Sequence, residues 1–252
     1  MTRQSARLSA PDVTGRHHGA MSGTLEVRVL GAHDAMPAET GGADRLELVG
    51  ALDDGALSPE PREVAAVRAR TNIHLRPVLR LREGYSTDGG EMARLRGLAA
   101  AYLDAGADGL VLGFINGRGE VDAPVVEALL EGFTCPWTFS RAFDTVLDTD
   151  QAWAAVRRLP GLDGVRTAGS ARTLEHGLDD LVRRARADAG VAHLVVADGD
   201  LTPEQVPWLA RAGVRQFHVA DQVRPGGSRK AYVDVGLVRS WRRLVDAEVA
   251  RG

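Results

Sequence analysis

Eight short runs of β-branched and aliphatic residues, each followed by a longer amphipathic stretch, constrain this chain more than any other feature of its sequence. The runs fall at 25–30 (LEVRVL), 45–49 (RLELV), 73–79 (IHLRPVL), 109–113 (GLVLG), 136–140 (PWTFS), 164–168 (GVRTA), 192–197 (AHLVVA) and 215–219 (RQFHV). A strand-like period that keeps giving way to a helix-like one is the mark of βα units feeding a parallel sheet. Eight such units in 252 residues fit one domain of α/β class, a (β/α)8 TIM-type barrel.

A weak internal repeat supports the count. A glycine leads into a strand in GADRLEL (42–48), GADGLVL (106–112), GLDGVRT (161–167) and GVRQFHV (213–219), at intervals close to two βα units. The residue that ends a helix often turns left-handed, a conformation that costs other L-residues energy. Open doubly wound sheets carry the same signal, so the repeat favours a barrel without excluding them. Helix starts are expected at Ser58-Pro59-Glu60, Asp122-Ala123-Pro124 and Thr202-Pro203-Glu204, where a capping side chain precedes a proline. Residues 24–252 read as the barrel, with Pro225-Gly226-Gly227-Ser228 as a long loop after the last strand.

Residues 1–23 are rich in Ser, Arg, His and Gly and lack a continuous apolar stretch, so they read as a disordered leader, with Met21 an alternative start. His17 and His18 within it lack the fixed geometry a metal site needs. The 31 Lys and Arg against 34 Asp and Glu leave a formal charge of -3, which supplies no field for nucleic acid or an anionic membrane. A single cysteine, Cys135, cannot form an internal disulfide, and a reducing, cytoplasmic setting is expected.

Charges predicted inside strands carry the functional information, because a barrel of this kind is normally filled by branched apolar side chains and its sites form where the strands end. Two-residue alternation puts Glu26 and Arg28 on one face of the first strand, and Arg45 and Glu47 on one face of the second. Arg76, Arg80 and Arg82 share a parity on the third, and a Glu47–Arg80 pair is the expectation. Ser140, Arg141 and Asp144 follow the fifth strand in WTFSRAFD, and His218 shares its parity with Gln216 on the eighth. Together these outline a pocket suited to an anionic or carbonyl-bearing small molecule. Ion pairs that only fill the interior and set strand register remain the plain alternative. For His218 a hydrogen-bonded core imidazole stands beside a proton carrier, and Ser140 lies outside any nucleophile-elbow pattern. No Cys-x-x-Cys or His-x-x-x-His motif is present, soft Cu(I) ligands are scarce, and Cys135 falls at a strand entrance, where core packing is its expected role.

The segments GGADRLEL (41–48), GALSPEP (55–61), RPVLRLREG (76–84), GEVD (119–122), FSRAFD (139–144), GVRTAGS (164–170), AGVRQFHVA (212–220) and YVDVGLV (232–238) resemble the CutC family in order and spacing. The resemblance implies a TIM-type barrel, a cytoplasmic location, a homodimer and an association with copper homeostasis. It also implies a polar barrel mouth at Glu26, Glu47, Arg80, Arg141, Asp144, Thr167 and His218. Where the family carries cysteine or histidine, this chain has Arg28, Val29, Val49, Arg76 and Ser140, so copper is a cofactor by resemblance only and no metal ligand is assigned. The expected catalytic groups are Glu47, His218 and Asp144; the expected ligand-binding groups are Glu26, Arg76, Arg80, Arg141 and Thr167. Three functions stay open: a copper-homeostasis protein, a lyase-, isomerase- or hydrolase-type enzyme acting on a small anionic metabolite, and a noncatalytic ligand-binding barrel.

Overall fold

The computed structural model describes residues 23–50 and 56–252. The expected leader, with His17, His18 and Met21, therefore lies outside the described residues, Gly23 excepted. Eight parallel strands are present: β1 (Thr24–Val29), β2 (Arg45–Leu48), β3 (His74–Pro77), β4 (Leu110–Leu112), β5 (Trp137–Phe139), β6 (Leu162–Thr167), β7 (Val195–Ala197) and β8 (Gln216–Val219). They run β3-β2-β1-β8-β7-β6-β5-β4, and a parallel bridge from Val78 to Val111 joins the two end strands. The sheet thus closes into a (β/α)8 barrel.

The helices form the outer ring: α1 (Ala32–Gly41), α2 (Pro61–Arg68), α3 (Gly89–Asp104), α4 (Ala123–Leu130), α5 (Thr149–Val156), α6 (Leu174–Ala187), α7 (Ala189–Leu194), α8 (Val206–Arg211) and α9 (Val235–Val249). The main core lies between this ring and the outer faces of the strands. Leu25, Val27 and Val29 of β1 and Leu46 and Leu48 of β2 are fully buried there, as alternation requires. Each such side chain stabilises the fold by about 1.5–3 kcal/mol. Inside the barrel the apolar content is small, a cluster of Val49, Val78 and Val111.

The four glycines of the repeat all adopt positive φ, between 75° and 100°, which explains their recurrence at helix ends. Of the three expected helix starts, one is as read: Asp122 caps α4 by accepting from the Val125 N–H. Ser58 instead accepts from the Arg80 N–H at 2.8 Å, tying the loop before α2 to the segment that follows β3, and α2 starts at Pro61 behind a Glu60–Glu63 capping box. The third start is displaced to Val206, with Gln205 turned back onto the Thr202 N–H. The seventh run is a strand only from Val195, because Asp188 opens the extra helix α7 across residues 189–194.

Tyr102 of α3 is fully buried and donates its hydroxyl to the Pro59 carbonyl ahead of α2. Tyr102→Phe should cost about 1 kcal/mol in urea unfolding by leaving that carbonyl unpaired. Burial, with Glu63 nearby, pushes the Tyr102 hydroxyl up to about 12. The folded value lies above the unfolded one, so this contribution is present below pH 10 and lost as pH rises from 10 to 12. The variant should lack that alkaline loss.

Candidate active site at the barrel mouth

Strand parity turns charged side chains into the barrel, and register arranges them in two tiers. Glu26 is level with Arg45 and His218, and Arg28 is level with Glu47 and Arg76. In the lower tier, toward the strand starts, Arg45 pairs with Glu26 and reaches Gln216 at 3.1 Å. Arg76 bends down to Asp163, with contacts of 2.6 and 2.5 Å, and to the Thr138 hydroxyl at 2.7 Å. This tier is a polar floor.

The upper tier is one connected network, which the His218 ring joins from the lower register level. Glu47 accepts from Arg28 at 2.7 Å and is paired with Arg166 on its other oxygen. Arg166 also grips one Asp198 oxygen through Nε at 3.1 Å and a terminal nitrogen at 2.6 Å. The His218 ring lies between the two acids, Nδ1 2.9 Å from Asp198 and Nε2 3.0 Å from Glu47. Glu47 and Asp198 thus sit on opposite ring nitrogens and are bridged on their far side by the Arg166 guanidinium.

Burial sets the charge states. Burial alone would favour a neutral Asp198, yet the Arg166 guanidinium outweighs it and holds the carboxyl well below the usual carboxylate range. Glu26 is held near 2, burial again opposing ionisation and Arg45 overcoming it. His218 is pushed down to about 4, by burial first and then by Arg166, against the pull of Asp198. At neutral pH the imidazole is uncharged.

Above this network, where the strands end, lies a cavity of about 80 Å³. Arg28, Arg80, Arg141 and Arg166 line it, and Glu47 is its one carboxylate among the described residues. Val78, Val111 and Tyr85 form an apolar wall opposite, and Ser140 completes the rim. Arg80 stacks its guanidinium 4.9 Å from the centre of the Tyr85 ring and donates to the Arg82 carbonyl; no carboxylate pairs with it among the described residues. Arg141 is held by Asp144 and by the Ser170 and Arg172 carbonyls. A larger hollow of about 670 Å³ opens at the opposite end, lined by apolar groups such as Leu130, Phe133 and Trp137. The mouth cavity is the better candidate because charge converges there and strand ends supply it.

The sequence-derived site residues divide between floor, mouth and rim. Glu47, Arg80 and Arg141 line the mouth cavity, with His218 directly behind Glu47. The expected Glu47–Arg80 pair does not form, because Glu47 is taken by Arg28 of the neighbouring strand β1 and by Arg166, which reaches it across the barrel from β6. Glu26 and Arg76 lie in the floor rather than at the mouth, since each finds its partner toward the strand starts. Thr167 faces away from the barrel interior and donates to Asp144 at 2.5 Å, while Asp144 also accepts from the Ala168 N–H at 3.0 Å. Burial raises the Asp144 carboxyl despite Arg141 and these donors. Asp144 and Thr167 therefore fix Arg141 from the side.

Sequence reading passed over Arg166 and Asp198, the centre of the network. Arg166 was legible by parity, since it alternates inward with Gly164, and Asp198 ends the seventh run in VVAD. Asp34 was also missed; fully enclosed, it accepts from Leu30 and Val233 N–H groups and pairs with Arg224 at 2.6 Å, pinning the loop after β8 to the start of α1.

Among the described residues no group of three or more His, Cys, Asp or Glu side chains comes together to hold a metal ion. Cys135 is half-buried at the barrel end away from the mouth, with its thiol pushed up by burial. The donor set of the mouth, guanidinium nitrogens around one acid, does not fit copper, whose soft form prefers sulfur ligands. No described helix is long and apolar enough to cross a membrane.

Fold and site define a TIM-type barrel protein with an arginine-lined mouth. Residues 24–223 match the CutC family, and the chain belongs to that family. It is 33% identical over 199 residues to a family protein CutC of Xanthomonas campestris pv. campestris (strain 8004), covering 78% of this chain and 82% of the relative. A family protein CutC of Klebsiella pneumoniae (strain 342) is 31% identical over 216 residues, covering 84% and 86%. Among solved structures, the CutC chain of Streptococcus agalactiae, which is named for copper homeostasis, superposes with a TM-score of 0.68 at 20% identity, covering 78% of this chain and 97% of that one. Thiamine phosphate pyrophosphorylase from Pyrococcus furiosus shares the fold at a TM-score of 0.57 and 17% identity, covering 90% and 96%.

Proposed function

We propose that this CutC-family barrel binds a small oxyanion-bearing metabolite at its mouth and moves a proton there, the chemistry of a lyase, isomerase or hydrolase. The observation that carries the reading is the excess of guanidinium over carboxylate around one cavity, with Arg80 left without an acid partner among the described residues. Guanidinium forks recognise carboxylate and phosphate oxygens in two-point contacts, and their charge counts for more where water is scarce. Glu47 supplies an acid group in reach of the ligand, and the apolar wall suits a short carbon skeleton.

For the cellular role we propose copper homeostasis, by kinship with the Streptococcus agalactiae protein, exercised without coordination of copper at the mouth. The setting proposed is cytoplasmic and the assembly a homodimer. A thermal-shift screen of phosphorylated and carboxylated metabolites, with Cu(I) as a separate arm, tests the reading, since a ligand of the folded state raises its apparent stability. Metabolite binding is expected without metal, and Arg80→Ala should weaken it by about 10- to 100-fold, the loss of one charge-assisted hydrogen bond. Stoichiometric Cu(I) binding with no response to any anion would overturn the proposal. Binding without turnover of the bound metabolite would leave a noncatalytic ligand-binding barrel.

A further inference from the structure

We propose that an oxyanion enters the mouth cavity together with one proton, which is taken up by His218 and held between Glu47 and Asp198. The inference rests on the reading of the cavity as an anion site and adds a second, thermodynamically linked partner to it.

Both nitrogens of His218 lie within 3.0 Å of a carboxylate oxygen, Asp198 on one side and Glu47 on the other. A neutral imidazole has one N–H, so one contact has a donor and the other sets lone pair against lone pair. With both acids ionised, only the imidazolium satisfies them. The ring is nevertheless held uncharged, first because it is buried and then because cations face it. Arg166, from β6, places a terminal nitrogen 3.5 Å from Nδ1. Arg28, from β1, reaches it through Glu47. Glu26 on β1 is the register neighbour of His218, with its own charge taken up by Arg45. The network is therefore one proton short of full hydrogen bonding, and burial, reinforced by two guanidiniums, keeps that proton out.

Those same two guanidiniums line the cavity. An oxyanion bound to Arg28 and Arg166 brings negative charge to the groups that exclude the proton and competes with Glu47 for them. Both changes favour the imidazolium. Linkage makes the effect reciprocal: if the anion raises the proton affinity of the ring, protons raise the affinity for the anion by the same factor. The captured proton sits one hydrogen bond from Glu47, which touches the cavity, so it is placed for delivery to a bound substrate.

Sulfate is the probe, because it stays doubly charged across the working range. Calorimetric titration at several pH values is expected to show sulfate affinity rising by roughly tenfold or more from pH 8 to pH 5. Titration near pH 6 in buffers of different ionisation enthalpy should show uptake of about one proton per sulfate. His218→Gln should lose most of the uptake and, with it, the rise in sulfate affinity toward pH 5. Should that variant fail to fold, the ring nitrogen shifts of His218 in the wild-type protein read its charge directly by NMR. Sulfate binding with no proton uptake, or a ring that stays neutral at saturation, overturns the linkage and leaves the anion site standing. No sulfate binding at any pH overturns both.

Discussion

Arg166→Met is expected to lower the unfolding free energy by about 3–5 kcal/mol at neutral pH, a fall of roughly 6–20 °C in Tm for a chain of this size. The guanidinium is 3% exposed and is the shared partner of Glu47 and Asp198, so its removal leaves two acids buried with too little positive charge. Methionine fills similar space and makes none of the contacts. The pH dependence separates this cause from simple loss of packing. Asp198 is held well below its ordinary value in the folded protein, so its contribution is present above the unfolded value near 4 and lost as pH falls. The deficit of the variant relative to wild type should therefore shrink in acid denaturation series below about pH 4. A deficit that is constant with pH would mean that packing, not charge, is what Arg166 supplies.

Gly177→Ala is expected to cost about 3 kcal/mol or more and to weaken anion binding at a distance. A Cβ on Gly177 of α6 would lie 2.0 Å from the Ala168 carbonyl oxygen and 2.4 Å from the Gly169 carbonyl carbon. Both obstacles are backbone, so no rotamer change relieves them and the helix must part from the loop after β6. That loop supplies the Ser170 and Arg172 carbonyls that hold Arg141, so the mouth should loosen although Gly177 lines no part of it. Gly97→Ala on α3 is the control: its Cβ meets nothing within 4 Å, and the substitution should stabilise by about 0.5–1 kcal/mol through helix propensity. Equal effects in urea unfolding would remove the close approach from the account.

The site was readable in its ingredients but not in its pairings. Parity put Glu26, Glu47 and His218 on inward faces, and all three are inward. Which acid meets which arginine depends on lateral strand order. β8 and β2 flank β1, and the reach of each long side chain along the axis selects floor or mouth. For that reason Arg76, the expected mouth ligand, lies in the floor with Asp163, while Arg28 takes the place expected of Arg80 beside Glu47. Thr167 shows the limit of transfer by motif: it follows Arg166 directly, and the one-residue difference sends it to the outer face, where it steadies Asp144.

Local chemistry in the sequence was sufficient to determine eight βα units, the glycines that end alternate helices, the inward parity of the charged positions and the family. These follow from dihedral preference and from periods of two and 3.6 residues, which act between near neighbours. Closure between β3 and β4, the gathering of Arg166 and Asp198 around His218 and the split into floor and mouth were decided by tertiary structure alone. They join residues from 20 to 171 positions apart, and the energy of a buried charge depends on what surrounds it in space rather than along the chain.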